Sequence, residues 1–385
     1  MRAIILNAEE KSASVRDNVA VPKPGPGELL IKVSAIALNP VDALYVSHPL
    51  GATGRTVGSD FAGTVVESVE SDVPVGRRVA GLLQGACSVN DRPGAFAEYV
   101  VCPADLVWLV PDDGMTLEQA AAVSLCGLTA AQGLVYRLRL PSPFPWQDEQ
   151  RSDAAVGMSA SHTQPLRVFV YGASTSVGMY AAQIIRRGCE RHGRPLQLIG
   201  AASKGRFDML RAAPYSYDAL VDYRQPEWPA QVREVAGGDG VDFAYDCISE
   251  GQTVKLVSGT LREGVGKMAV VRSREGGAWS AHGDQLPTEP VYGAVWEALG
   301  ADVFYQAGMV IRSTKETQDF AAAFYQWLAE GKLEANPIRL MPGGLERVVP
   351  DGFALHGPGT MEDRVDSRTE EWMKPISAEK LVYQV

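Results

Sequence analysis

A chain of 385 residues exceeds what one ordinary core organises and implies about two domains. Its 46% hydrophobic and 21% charged residues are those of a globular protein, and no apolar stretch reaches the roughly 20 residues that cross a bilayer, so no membrane partner is expected. A net charge of −10 without a Lys/Arg run makes nucleic acid a poor partner and points to a small molecule or another protein.

The apolar start, Met1 to Ala8, turns polar at Glu9 and is too short for a secretory signal; it reads as a first strand in a protein expected in the cytoplasm. Cys87, Cys102, Cys126, Cys189 and Cys247 are odd in number and lack a Cys-x-x-Cys pair, which predicts reduced, mostly buried thiols. Short β-rich runs follow at Arg2–Leu6, Glu28–Ile36, Gly63–Val69, Arg78–Leu82 and Phe96–Val101, separated by Gly, Pro and Asp, and predict a β-dominated region. Thr116 caps a helix opening at Leu117, with helical character to about Leu140 and an interruption at Gly127. Residues 141–164 are rich in Pro, Ser, Asp and Gln and read as a surface excursion.

From Arg167 strands and helices alternate. Strands are predicted at Val168–Tyr171, Leu196–Ala201, Ala219–Val221, Val241–Cys247 and Met268–Val271, with helices ending near Gly188, Arg211 and Ala236, which indicates a parallel doubly wound sheet. An amphipathic helix is expected over Thr317–Leu328, then a polar insertion over Gly357–Lys374 and a last strand at Lys380–Tyr383. The segment between Tyr171 and Val177 is a turn of small residues joining a buried strand to a helix N-terminus, where free N–H groups and a partial positive charge can hold a pyrophosphate. Thr175 and Ser176 stand where a dinucleotide fingerprint usually has glycine, and their hydroxyls are candidate phosphate donors; the plain alternative is an ordinary strand-to-helix turn.

Ala37–Asp42, Gly58–Glu67, Val75–Val79, Gly94–Tyr99, Thr129–Ala130, the Gly172 turn, Val221–Tyr223, Asp246–Ile248 and Ser377–Tyr383 together resemble the medium-chain dehydrogenase/reductase superfamily over nearly the whole chain. The Ser and Thr in the turn and the excursion before the cofactor strand are similar to the trans-acting enoyl reductases of fungal highly reducing polyketide synthases. The resemblance implies an α/β chain: a GroES-like β domain of residues 1–130 and 315–385, a Rossmann domain with a doubly wound parallel sheet of residues 131–314, and an active site between them. In the zinc alcohol dehydrogenases of the superfamily, Cys and His ligands occupy places that here read Asn39–Asp42 and Gly58–Asp60. His48, His162, His192, His282 and His356 are widely spaced, each expected at the surface, so no metal is expected.

In a dinucleotide fold that binds NAD, an acid about 20 residues beyond the turn accepts the ribose 2′-OH. Here Ser203, Lys204, Gly205 and Arg206 follow the second strand with no acid, which predicts NADPH; the plain alternative is a solvated basic turn. By resemblance Asn39, Pro40, Val41, Asp42, Ser174, Thr175, Ser176, Val177, Tyr223, Val270 and Ser377 also face the cofactor. A substrate would lie along Thr129, Ala130, Ala131, Gln132, Gly133, Leu134, Val135 and Tyr136 on one side and Gly293, Ala294, Val295, Trp296 and Glu297 on the other. Thr129 is the expected substrate-positioning hydroxyl, with helix back-bonding as its plain alternative. Asp42 and Asp60 are read as loop organisers rather than an acid/base pair. The activity implied is NADPH-dependent reduction of a polyketide enoyl thioester carried on the acyl carrier domain of a synthase. Alternatives are a free-standing quinone or enone reductase and a non-catalytic NADPH-binding scaffold.

Overall fold

The computed structural model describes residues 1–86, 92–146, 164–281, 285–305, 309–364 and 368–385; Cys87, His162, His282 and most of the predicted excursion lie outside them. The chain divides into two compact units, Met1–Leu125 with Trp296–Val385, and Cys126–Val295. The expected boundaries at 130 and 315 therefore shift. Residues 296–314 go with the first unit because Ser313 Oγ and Thr317 Oγ1 both donate to the Glu297 carbonyl, at 2.7 and 2.8 Å, tying this segment to the helix Lys315–Ala329.

The first unit contains β1 (Ala3–Asn7), β2 (Ser12–Arg16), β3 (Glu28–Ala37), β4 (Asp60–Ser68), β5 (Arg78–Leu82), β6 (Tyr99–Pro103) and β7 (Val107–Leu109). The second contains β8 (Leu166–Tyr171), β9 (Leu196–Ala202), β10 (Ala219–Asp222), β11 (Phe243–Asp246), β12 (Lys267–Val270) and β13 (Val291–Tyr292). The chain then returns to the first unit through β14 (Val303–Phe304), β15 (Val310–Ile311), β16 (Ile338–Met341) and β17 (Lys380–Gln384). The main sheet of the first unit runs β16-β17-β3-β4-β5-β7, with β6 also paired to β3. Its last strand enters beside β3, Val382 opposite Ala37, so chain end and chain start share one sheet.

In the second unit the order is β10-β9-β8-β11-β12-β13 and every pairing is parallel. Counted along the chain from β8, this is third, second, first, fourth, fifth, sixth, the order of the dinucleotide-binding doubly wound sheet. Val168, Phe169 and Val170 are wholly buried, as a parallel strand covered on both faces requires. Phe169 joins Ile199, Val221, Trp228, Ala244 and Met268 in one apolar cluster.

Several predicted elements differ from those observed. Gly127 does not interrupt its helix: one helix spans Leu117–Ala121 under a Thr116 cap, and a second, Ser124–Ala131, runs through Gly127. The irregularity comes later, over Gln132–Arg137, as a π-helical turn in which the Leu138 N–H reaches five residues back to the Gly133 carbonyl at 3.1 Å. The expected loop after Asn39 is a helix, Pro40–Ser47, whose first position suits proline because its N–H has no partner there. The insertion expected over 357–374 is tied down where it is described: Arg368 and Trp372 donate to the fully buried Asp351 at 2.6 and 3.2 Å. His48 and His192 are exposed, but His356, expected at the surface, is buried, and burial pushes its imidazole down to about 3. Cys102, Cys126, Cys189 and Cys247 are free and buried. Among the described residues no helix is long and apolar enough to cross a membrane, and no group of three His, Cys, Asp or Glu could hold a metal.

Candidate active site

Of the predicted cofactor residues, the second unit holds Ser174–Val177, Ser203–Arg206, Tyr223 and Val270, all at or just beyond the carboxyl ends of its strands. Parallel register brings Tyr171 level with Ala201 and Asp246, Ala202 level with Asp222, and Val270 level with Asp246. The segments that follow these strand ends therefore emerge on one side. Gly172 takes φ +75°, which only glycine adopts without strain, and reverses the chain into the helix Ser176–Arg191. A Cβ on Gly178 would lie 2.3 Å from the Gly172 carbonyl oxygen, so this glycine is required for the helix to approach the strand. Ser174, Thr175, Ser176 and Val177 are all half-buried at the positive end of that helix, where free N–H groups could hold a pyrophosphate. Thr175 has another duty as well: its Oγ1 caps the helix, accepting from the Gly178 N–H at 3.0 Å. Its oxygen is thus engaged as a cap, and its hydroxyl also bonds the buried Cys247 thiol, so the expected phosphate donor has two other partners.

Beyond β9, Ser203 leads into a turn of 3-10 helix, Lys204–Arg206, in which Lys204 and Gly205 are exposed and Arg206 half-buried. Tyr223, 40% exposed, follows the adjacent β10. Its ring meets Tyr171 edge-on at 6.3 Å and lies under the Arg224 guanidinium at 4.6 Å. Asp222 faces Arg224, accepting from its N–H at 3.1 Å, so the acid at this edge is engaged locally. Val270 belongs to the apolar core, 2% exposed; only its backbone reaches the edge. Asp246, whose role the sequence did not reveal, organises the next turn: it accepts from Ile248 N, Ser249 N and Thr253 Oγ1 at 2.9, 2.8 and 2.7 Å. Burial pushes its carboxyl up to about 6.

The two predicted substrate runs meet within this unit for part of their length. Arg137 Nε donates to the Tyr292 carbonyl at 3.0 Å. A Cβ on Gly293 would lie 3.3 Å from Arg137 Cγ and 3.5 Å from Gln132 Cβ. Gly293, Ala294 and Val295 are buried here, whereas Trp296 and Glu297 belong to the first unit. Thr129 is 9% exposed; its carbonyl accepts from the Tyr245 hydroxyl at 3.0 Å, while its own hydroxyl has no hydrogen-bond partner among the described residues. The back-bonded role is therefore not the one observed. Of the other residues in the run, Ala130, Ala131, Leu134 and Val135 are fully buried and Tyr136 is 7% exposed. Gly133 lies against the Tyr245 ring, where a Cβ would come within 2.8 Å.

In the first unit, Asn39 and Asp42 join a buried polar network that includes a partner 320 residues distant. Asp42 accepts from Asn39 N and Ser59 Oγ, both at 2.7 Å. Asn39 Nδ2 donates to Asp60 at 3.0 Å, the Leu125 N–H donates to its other oxygen at 2.9 Å, and Lys380 forms a buried ion pair with it. Asp60 is 0% exposed and Lys380 4%. Burial pushes the Asp42 carboxyl up to about 7, against the two bonds that favour its anion. Pro40 and Val41 open the helix above this network, and half-buried Ser377 precedes Lys380 on the turn into β17.

The alcohol dehydrogenase GroES-like domain matches residues 25–112. Trans-enoyl reductase traG of Penicillium crustosum is 29% identical over 100% of this chain and 96% of its own length. Trans-enoyl reductase caaB of Aspergillus niger is 30% identical over 87% of this chain and 88% of its own. Among solved structures, an alcohol dehydrogenase superfamily protein from Novosphingobium aromaticivorans has the same fold, with TM-score 0.71 and 20% identity over 100% of this chain and 99% of that one. A mycobacterial protein complexed with NADPH matches at TM-score 0.65 and 22% identity over 100% of both chains. The identity to caaB, sustained over most of both chains, and the two-unit architecture together lead to one assignment: the chain belongs to the trans-enoyl reductases, oxidoreductases of the medium-chain dehydrogenase/reductase superfamily.

Proposed function

We propose that the chain is a trans-acting, NADPH-dependent enoyl reductase that reduces an α,β-unsaturated polyketide thioester carried on the acyl carrier domain of a partner polyketide synthase. The observation that carries the cofactor choice is the end of β9, where Ser203, Lys204 and Arg206 follow without an acid. A ribose 2′-phosphate needs cationic donors there, and a 2′-OH would need the carboxylate that this turn lacks. The mycobacterial neighbour with NADPH adds support. When bound, NADPH would supply the hydride that adds to the β-carbon, and water the proton that the resulting enolate takes up at the α-carbon.

The chain's own residues supply position and electrostatics. Ser174 to Val177 would hold the pyrophosphate at the helix N-terminus, and Lys204 and Arg206 the 2′-phosphate. The unpartnered Thr129 hydroxyl is suited to donate to the thioester oxygen, where negative charge develops as hydride arrives; a fixed donor of this kind is worth roughly 3 kcal/mol in other enzymes. The test is to mix purified protein with NADPH or NADH and an enoyl pantetheine thioester, following nicotinamide absorbance and the mass of the product. The expected result is a saturated thioester formed with NADPH preferred. Consumption of NADPH with a simple quinone and none with the thioester would favour the free-standing quinone reductase instead, and consumption with neither would favour the scaffold.

A further inference from the structure

Gln132 is 1% exposed, and neither Nε2 nor Oε1 has a hydrogen-bond partner among the described residues. A buried primary amide with nothing to bond costs on the order of 1–3 kcal/mol for each unpaired group, and such groups in folded proteins call for an explanation. The surroundings offer one. Gln132 lies three residues after Thr129, on the same side of the helix, and opens the π-helical turn. It is held from two directions: Tyr245 bonds the Thr129 carbonyl and packs against Gly133, and Arg137 bonds the Tyr292 carbonyl and fixes Gly293 beside Gln132 Cβ. Gln132 Cβ is thus held on the same side of the helix as Thr129, with glycine on both flanks and the polar end of its side chain unsatisfied.

The missing partner must both donate and accept. A thioester oxygen only accepts, so it could meet Nε2 and would leave Oε1 bare. A secondary amide is trans, its N–H and its carbonyl pointing in opposite directions, so one alone cannot close on both atoms of Gln132; two amides in one flexible arm can, the carbonyl of one accepting from Nε2 and the N–H of the other donating to Oε1. We propose that Gln132 is a specificity-determining residue that reads the two secondary amides of the pantetheine arm on which the enoyl group is carried. The assignment rests on the enoyl reductase reading and adds to it the part of the carrier that this chain recognises directly.

The experiment compares kcat/KM for one enoyl group presented as three thioesters: on pantetheine, on a pantetheine analogue with its amides replaced by esters, and on a simple alkyl thiol. The wild-type protein is expected to prefer pantetheine over both others by on the order of 10–100-fold, the scale set by leaving a buried hydrogen-bonding group unmatched. In Gln132→Leu that ratio is expected to collapse toward one, through KM more than through kcat. The ester analogue tests the same contact in the unaltered protein, so the inference stands or falls even if the variant does not fold. Equal rates for amide and ester carriers in the wild type, or a preference retained in Gln132→Leu, would overturn the inference alone. A wild-type protein that reduces none of the three thioesters defeats the enoyl reductase reading and the inference with it.

Discussion

Replacing Lys380 by Met tests whether the first unit is held by a charge-balanced buried network. Lys380 is 4% exposed and Asp60 0%, so neither ion is solvated by bulk water. Removing the ammonium leaves Asp60 with two neutral donors, Asn39 Nδ2 and the Leu125 N–H. An uncompensated buried carboxylate of this kind costs about 3–5 kcal/mol. For a unit of roughly 200 residues, at about 2–4 °C per kcal/mol, the transition of the first unit should fall by about 6–20 °C. Calorimetry at pH 7 reads this directly. The double variant Lys380→Met with Asp60→Asn should be more stable than Lys380→Met alone, since Asn still accepts from Leu125 without bringing a charge. A loss below about 1 kcal/mol, or a double variant no better than the sum of its parts, would refute the argument that the pair is a coupled buried ion pair.

Other consequences are open to measurement. Asp42 should make stability fall as pH rises between about 4 and 7, because the unfolded carboxyl releases its proton near 3.8 while the folded one keeps it to about 7. The sign is that of an acid whose folded pKa is raised, the amplitude is about 4 kcal/mol, and Asp42→Asn should remove that part of the slope in urea titrations; an unchanged slope would count against it. Replacing Lys204 and Arg206 by Ala should raise the Kd of NADPH at least about tenfold more than that of NADH, a conservative figure because Lys204 is exposed; equal losses would contradict the 2′-phosphate assignment. Thr129→Val should lower kcat for enoyl reduction while Kd for NADPH and the melting temperature stay near wild type, and a collapse in NADPH binding would move Thr129 to the cofactor.

What could be read in the sequence was local and periodic. The apolar run Val168–Val170, the small-residue turn after Tyr171 and the strand–helix alternation are each contained in a short window, and together they specify a parallel sheet with its cofactor edge. The lack of an acid after β9 is likewise a statement about four adjacent residues. What could not be read depends on partners remote in sequence. No spacing announces that Lys380 neutralises Asp60, or that the Tyr245 hydroxyl and the Arg137 guanidinium secure a π-helical turn at Gln132. His356 was misjudged for the same reason: polarity argued for the surface, whereas packing of the surrounding segments buries it. Thr175 shows a milder version, since its place in the turn suggested a phosphate ligand and its geometry adds a helix cap.

The side chains at the places where zinc-dependent relatives of the superfamily carry ligands explain how this chain is specialised. Asn39, Asp42 and Ser59 turn their polar atoms toward one another and toward Asp60, and both oxygens of Asp42 are occupied as acceptors. A metal would have to compete with these bonds using a donor set that contains no thiolate or imidazole, which is a poor match for zinc. The same bonds hold the residues that open the helix Pro40–Ser47 and, through Lys380, the first residue of β17, three positions after Ser377. Two segments assigned to the cofactor are thus fixed by one buried network in the first unit. Reduction of a carbon–carbon double bond needs such fixed positions and a donor for a developing oxyanion more than it needs a Lewis acid. In the second unit Thr129 is the hydroxyl proposed for that donor, and in the first unit the buried network holds the residues that open the helix Pro40–Ser47 and the strand β17.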